Sequence, residues 1–301
     1  MKLSMLKYCL ALLAASLWAA SALALNVFAT VPEWAALAQE IGGDRLKIVT
    51  ATGALQDPHR IEAKPSLIAR ARNADLLLAT GAELEVGWLP VILRESGNAR
   101  IQPSALGYFE AVAYVKMLDV PGRLDRADGD VHASGNPHIH TDPRNYPKIA
   151  AALATRLAQL DAANAAQYRM AYAKFVERWQ ANLARWEKQA APLRGQPVVV
   201  QHKSFSYLID WLGLKEIAVL EPKPGVEASA AHLARVLEQT RGQKPRWVIR
   251  AAWENNRAAD GFAAQSGAPV AVLPFTVGAD DQVKDLTALF DETVARLSAA
   301  H

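Results

Sequence analysis

The chain has 301 residues, 51% of them hydrophobic and 21% charged, with 33 basic against 30 acidic side chains, 7 histidines and 1 cysteine. A formal charge of +3 lends no support to nucleic-acid binding, which asks for a strongly basic face, and a single cysteine excludes a disulfide framework. The apolar content is ample for a core, and the length exceeds the roughly 100–200 residues of one domain, so two domains are expected.

Residues 1–24 read as a cleavable signal peptide: Lys2 and Lys7, an apolar stretch over 10–20, then Ala22-Leu23-Ala24 as the A-x-A processing site. The stretch is too short for a membrane span, which needs about 20 apolar residues. Cleavage would remove Cys9, which lacks the flanking small residue and position of a lipid-modified cysteine. It would also take Lys2 and Lys7, lowering the 33 basic residues to 31 against 30 acids, a formal charge of +1. The mature chain is then expected in the periplasm, without thiol or disulfide.

From residue 25 to about 106, short apolar runs alternate with amphipathic stretches, the pattern of a parallel sheet covered by helices. Strands are expected at 26–30, 46–51 and 75–79, and helices at 32–41, 65–72 and 84–94, with Pro65 opening its helix. Residues 119–136 read as an exposed loop. Residues 147–190 are helical in pattern with a break near 161–164, and the second part, 165–190, would span roughly 39 Å at 1.5 Å per residue, enough to link two lobes. Alternation resumes with strands at 197–201, 217–220, 246–251 and 269–273 and helices at 205–212, 230–241, 256–266 and 285–297. The expected fold is α/β with two lobes, each a mainly parallel sheet flanked by helices, joined by a long rigid connector helix. The expected limits are 1–24 for the signal peptide, 25–146 for the N-terminal lobe, 147–192 for the helical connector and 193–301 for the C-terminal lobe.

Three histidines stand where apolar strands give way to loops: His59 in Gln56-Asp57-Pro58-His59, His138 in Gly135-Asn136-Pro137-His138, and His202 in Val200-Gln201-His202. Any one of them is an ordinary turn residue. Three at the edge where open α/β sheets bind ligands point instead to one metal site between the lobes. Neutral imidazole suits Zn2+, and a tetrahedral site asks for a fourth ligand, expected as a carboxylate from the last quarter of the chain.

At these residues the sequence resembles the zinc- and manganese-binding solute receptors of ABC importers, over essentially the whole chain beyond the signal peptide. Asp57-Pro58-His59 with Lys64-Pro65-Ser66 is similar to that family's D-P-H…P-S segment. Asn73-Ala74-Asp75-Leu76 with Gly81-Ala82-Glu83-Leu84-Glu85-Val86-Gly87-Trp88-Leu89 is similar to its N-A-D…G-x-x-x-E-x-W-L signature. Asn136-Pro137-His138-Ile139-His140-Thr141-Asp142-Pro143 resembles D/N-P-H-x-W-L-D-P, and Gln201-His202-Lys203-Ser204-Phe205-Ser206-Tyr207 resembles the start of the second lobe.

The resemblance implies His59, His138 and His202 as metal ligands, with histidine at the third place favouring zinc over manganese, which prefers oxygen donors. Two departures stand out. Phe275, in Leu273-Pro274-Phe275-Thr276-Val277-Gly278, occupies the family's aspartate position, so the fourth ligand is expected from Asp281, with Asp280 as the alternative and Glu221 and Glu254 as weaker candidates. His140 replaces a common tryptophan and is an auxiliary candidate, while His132 offers only feeble capture. His232 and His301 read as bystanders, and Trp179 and Trp186 as packing residues.

The implied function is an extracytoplasmic, non-enzymatic receptor that binds Zn2+ as cargo and delivers it to the permease of an ABC importer at the inner membrane. A periplasmic zinc chaperone is a further candidate partner, and a monomer is expected. A secreted zinc hydrolase would need an open coordination position and a general base, and the chain has no H-E-x-x-H. An adhesin or haem-type receptor on the same scaffold would need a wide basic or aromatic cleft in place of converging histidines.

Overall fold

The computed structural model of the chain describes residues 24–122, 132–223 and 225–299. The signal peptide expected at 1–24, apart from its last residue, and His301 lie outside the described residues, as does much of the expected 119–136 loop.

Two four-stranded, all-parallel sheets organise the chain. The first comprises β1 (Leu25–Ala29), β2 (Leu46–Thr50), β3 (Leu76–Ala79) and β4 (Tyr108–Glu110) in the order β2-β1-β3-β4. The second comprises β5 (Pro197–Val200), β6 (Lys215–Val219), β7 (Trp247–Ala251) and β8 (Val270–Leu273) in the matching order β6-β5-β7-β8. Interior strands covered on both faces need unbroken apolar runs, and Leu76, Leu77, Leu78 and Ala79 of β3 are all buried. In both sheets the chain reverses its direction of winding beside the first strand, which opens a crevice at the carboxyl edge.

Helices α1 (Pro32–Gly42), α2 (Pro65–Arg72) and α3 (Leu89–Ser96) flank the first sheet, and α6 (Ser206–Leu212), α7 (Ala230–Thr240), α8 (Arg257–Ser266) and α9 (Leu286–Ala299) the second. Between them run α4 (Tyr146–Leu160), a 3-10 turn at Ala162–Asn164, and the 26-residue α5 (Ala165–Ala190). α1 shows why these segments are helical: Pro32 fixes the first turn, Trp34, Leu37, Ala38 and Ile41 are buried at helical spacing, and Gly43 ends it at φ 54°. α4 and α5 both pack against α1, and α5 also packs against α9.

One continuous core therefore runs from Val27 and Leu76 of the first sheet through Trp179 and Trp186 of α5 to Val198 and Trp247 of the second. Its centre is a set of aromatic rings: Trp179 lies 5.0 Å from Tyr146, 5.2 Å from Trp186 and 5.6 Å from Phe290. A smaller cluster packs the outer face of each sheet.

Two elements depart from expectation. The helix expected at 84–94 starts only at Leu89, because Ala82 and Glu83 take positive φ (47° and 65°) and the Glu85 carboxylate accepts from Thr80 N, Gly81 N and Thr30 Oγ1, closing a turn that a helix would break. The edge strand β4 has no counterpart in the sequence pattern. Its three residues are too few to show periodicity.

Candidate metal centre

Each of the three histidines is placed by a different device. His59 lies in the loop after β2, where Asp57 Oδ1 accepts both the His59 backbone N–H (3.0 Å) and its ring Nδ1 (2.8 Å). Trp88 Nε1 donates to the intervening Pro58 carbonyl at 2.9 Å. Burial pushes the Asp57 carboxyl up, yet the hydrogen bonds and charge of His59 outweigh it and hold Asp57 below its ordinary range. With Nδ1–H committed to a carboxylate, Nε2 of His59 keeps its lone pair for a metal.

His202 follows β5 at the crevice of the second sheet. Its Nδ1 lies 2.7 Å from Glu221 Oε2, just past β6, and that oxygen also accepts Gly225 N at 3.0 Å. Burial works to lower the His202 pKa, but the hydrogen bond and charge of Glu221 prevail and raise it above 6.5. The two histidines thus share one design, a carboxylate orienting the ring from behind.

His138 stands in the segment that enters α4. Asn136 Oδ1 accepts the His138 backbone N–H at 2.9 Å, while Asn136 Nδ2 donates to Lys203 O at 2.8 Å and Ser206 Oγ at 3.1 Å, tying this segment to the start of the second lobe. Gly135 adopts φ +105°, and a Cβ there would meet Leu118 O at 2.7 Å, so only glycine fits. The His138 side chain is 1% exposed and, among the described residues, neither ring nitrogen has a hydrogen-bond partner. Burial first, then the neighbouring imidazoles, drives its pKa well below 6.5, so it is neutral.

These three side chains converge, with one ligating atom from each within 4.8 Å of the others. Ring centroids are 5.3 Å apart for His59 and His138, 5.7 Å for His138 and His202, and 6.1 Å for His59 and His202, with each pair near perpendicular. A zinc ion holding nitrogens at about 2.0–2.1 Å separates them by about 3.3 Å, so the cluster needs to contract by at most about 1.5 Å per pair. The donor set, neutral or oriented imidazoles with an orphaned buried nitrogen pair, fits a zinc-like ion.

The expected fourth carboxylate is elsewhere. Asp280 pairs with Arg296 at 2.5 Å and caps the backbone of Gln282 and Val283, while Asp281 is exposed. Neither belongs to the cluster. Locally, Gly278, at φ +85°, donates to Val283 O and closes the 278–283 turn, within which Asp280 is committed to backbone N–H groups. Phe275, in the aspartate's expected place, is buried with its ring 5.4 Å from that of His138 and 4.5 Å from that of His140.

Among the weaker candidates, Glu221 orients His202, and Glu254 is held by Ser204 Oγ and Ala251 N. His140 is fully buried outside the cluster, its Nε2 3.0 Å from Phe275 O and its Nδ1 3.4 Å from Glu33. His232 also lies outside, beside Arg235 on α7. The ring of His132 stacks on His59 at 5.3 Å. In the sequence Asp57 stands only as part of the Asp57-Pro58-His59 motif and Glu221 only as a weak ligand candidate. A carboxylate two residues before a candidate ligand was the available signal for Asp57, whereas Glu221 is 19 residues from His202 and only the β5–β6 pairing joins them.

A family model described as ZnuA, "Zinc-uptake complex component A periplasmic", matches residues 27–300. The zinc-binding lipoprotein AdcA of Streptococcus pneumoniae serotype 4 is 22% identical over 228 residues, 74% of this chain but 44% of its own length, so the chain spans less than half of that relative. The manganese ABC transporter substrate-binding lipoprotein PsaA of Streptococcus pneumoniae is 24% identical over 226 residues, 73% of this chain and 69% of its own. A crystal structure of ZnuA shares the fold with a TM-score of 0.78 at 22% identity, covering 92% of this chain and 99% of that one. On the family match across nearly its whole length, the chain belongs to the ZnuA family of periplasmic zinc-uptake components.

Proposed function

We propose that the chain is an extracytoplasmic receptor that captures Zn2+ on His59, His138 and His202, between its two lobes, and hands it to the permease of an ABC-type importer. The observation that carries this reading is His138, a fully buried imidazole with neither nitrogen partnered among the described residues, beside two imidazoles already oriented by carboxylates. An unsatisfied buried polar group costs about 1–3 kcal/mol, and a bound ion would relieve part of that cost. Nitrogen donors favour zinc over manganese, which ranks the manganese role named for PsaA second. Asp57 and Glu221 are engaged by the imidazoles they orient, which leaves neither to act as the general base of a zinc hydrolase.

Export through the signal peptide at 1–24 would place the receptor in the periplasm, where a zinc chaperone is a candidate donor and a monomer suffices. No described helix is long and apolar enough to cross a membrane. The lobe limits 25–146 and 193–301, with 147–192 between them, serve this reading, since each lobe then supplies at least one histidine. The test is calorimetry on the chain from Leu25 onward, stripped with chelator and titrated separately with zinc and manganese. One tight zinc site is expected, weakened at least about 100-fold by His138→Ala; zinc affinity unchanged in both His59→Ala and His202→Ala overturns the reading.

A further inference from the structure

The cluster opens onto a cleft of about 740 Å³ that runs from His59 and His202 along the second lobe to α7 and α8. A bare ion with a few waters needs only on the order of 100 Å³, at about 30 Å³ per water, whereas small-molecule sites measure roughly 300–1,000 Å³. On α7 and α8 the lining is apolar at Leu233 and Ala258 and cationic at Arg257, while four carboxylates also line the cleft.

Gly261 adds an independent sign. It stands inside α8, where glycine weakens a helix, yet no positive φ requires it, and a Cβ there would meet nothing nearer than Leu233 Cδ1 at 3.9 Å. The fold tolerates a side chain at this position, and the space over Gly261 is part of the cleft.

The coordination shell points the same way. Among the described residues three nitrogens converge and no carboxylate joins them, since Asp280 is paired with Arg296 and Phe275 fills the position beside His138. A tetrahedral ion held by these three nitrogens alone keeps one coordination position open to an exogenous donor.

We propose that the receptor takes its metal as a complex with a small amino-carboxylate chelator, the chelator supplying the fourth donor and lying along the cleft. This rests on the zinc-receptor reading above and names the form of its cargo. The chelator's carboxylate would face Arg257, and its body would cover the apolar wall at Leu233, Ala258 and Gly261.

The test uses native mass spectrometry and calorimetry on the full mature chain with zinc, with L-histidine alone, and with zinc and L-histidine together. The expected result is a ternary species carrying one zinc and one histidine, with zinc affinity raised at least tenfold by histidine. Gly261→Leu, which fills the cleft, and Arg257→Glu are each expected to abolish retention of histidine while leaving the affinity for zinc alone within about twofold. A zinc-only species at every histidine concentration, with zinc stripped from the amino acid, overturns the chelate proposal and leaves the zinc receptor standing. Loss of zinc binding under all conditions would instead overturn the receptor reading itself. Histidine retained equally by wild type and Gly261→Leu also overturns the proposal, because binding would then lie outside the cleft.

Discussion

At the scale of single residues, Asp57 and Glu221 engage Nδ1 of His59 and His202 and so leave Nε2 as the free donor of each ring. Partners of this kind are worth about 10–100-fold in metal affinity, so Asp57→Asn and Glu221→Gln are each expected to weaken zinc by that factor in competition with a chromophoric chelator. A change below twofold would remove them from the site's machinery. The raised pKa of His202 gives the pH dependence its sign: zinc needs the neutral ring, so affinity falls as pH drops through a value above 6.5. His138, held neutral by burial, adds no competition there. Because Glu221 supplies the lift, Glu221→Gln should flatten the loss of affinity between about pH 7.5 and 6, measured by the same titration.

Glu254 provides a separate residue-scale prediction. Burial raises its carboxyl from 4.5 to about 7 against the opposing hydrogen bonds from Ser204 and Ala251. The folded chain then binds more protons than the unfolded one between those values, so the stability this group contributes is present below about 4.5 and lost as pH rises through about 7. Glu254→Gln, which keeps the shape without the charge, should stabilise the metal-free protein above pH 8 by on the order of 1–3 kcal/mol and leave it unchanged near pH 4.5. Urea midpoints at the two pH values decide it.

At the scale of elements, α5 is more than a spacer. Trp179 and Trp186, seven residues apart, share one face, and their indole N–H groups donate to Pro143 O at 2.8 Å and Asp291 Oδ1 at 2.6 Å. Trp179→Ala opens a large cavity among Tyr146, Phe175 and Phe290 and strands the Pro143 carbonyl. It should cost about 3–5 kcal/mol in urea unfolding. Because both sheets pack on this core, wild type is expected to unfold in one transition. Two resolved transitions would show that the lobes are independent.

At the scale of the molecule, several links among the described residues cross between the lobes near the histidines. Thr276 donates to the buried Glu33 at 2.6 Å, Asn136 reaches Lys203 and Ser206, and Tyr207 Oη donates to Asn136 O at 2.9 Å while accepting from Leu118 N at 3.0 Å. With these in place and a continuous core beneath them, metal loading should tighten the histidine cluster without a wide hinge closure. Small-angle scattering with and without zinc is expected to give nearly superimposable curves, and a large compaction would contradict this.

The two-lobed α/β architecture and the three histidines were legible in the sequence, because both rest on local pattern. Unbroken apolar runs such as 76–79 specify covered parallel strands, the break near 161–164 marks the step between α4 and α5, and histidines at strand ends fall on the ligand-binding edge. Tertiary structure alone decided where Asp280 and Asp281 lie. Whether Asp280 or Asp281 could reach an ion depended on how the 278–283 turn folds back and on Arg296, which draws Asp280 away. The pairing of His202 with Glu221 was equally hidden, since two residues 19 apart meet only when their strands lie side by side. Sequence spacing specifies a side chain's element and face, while its partner across the fold is set by packing between elements distant in the chain.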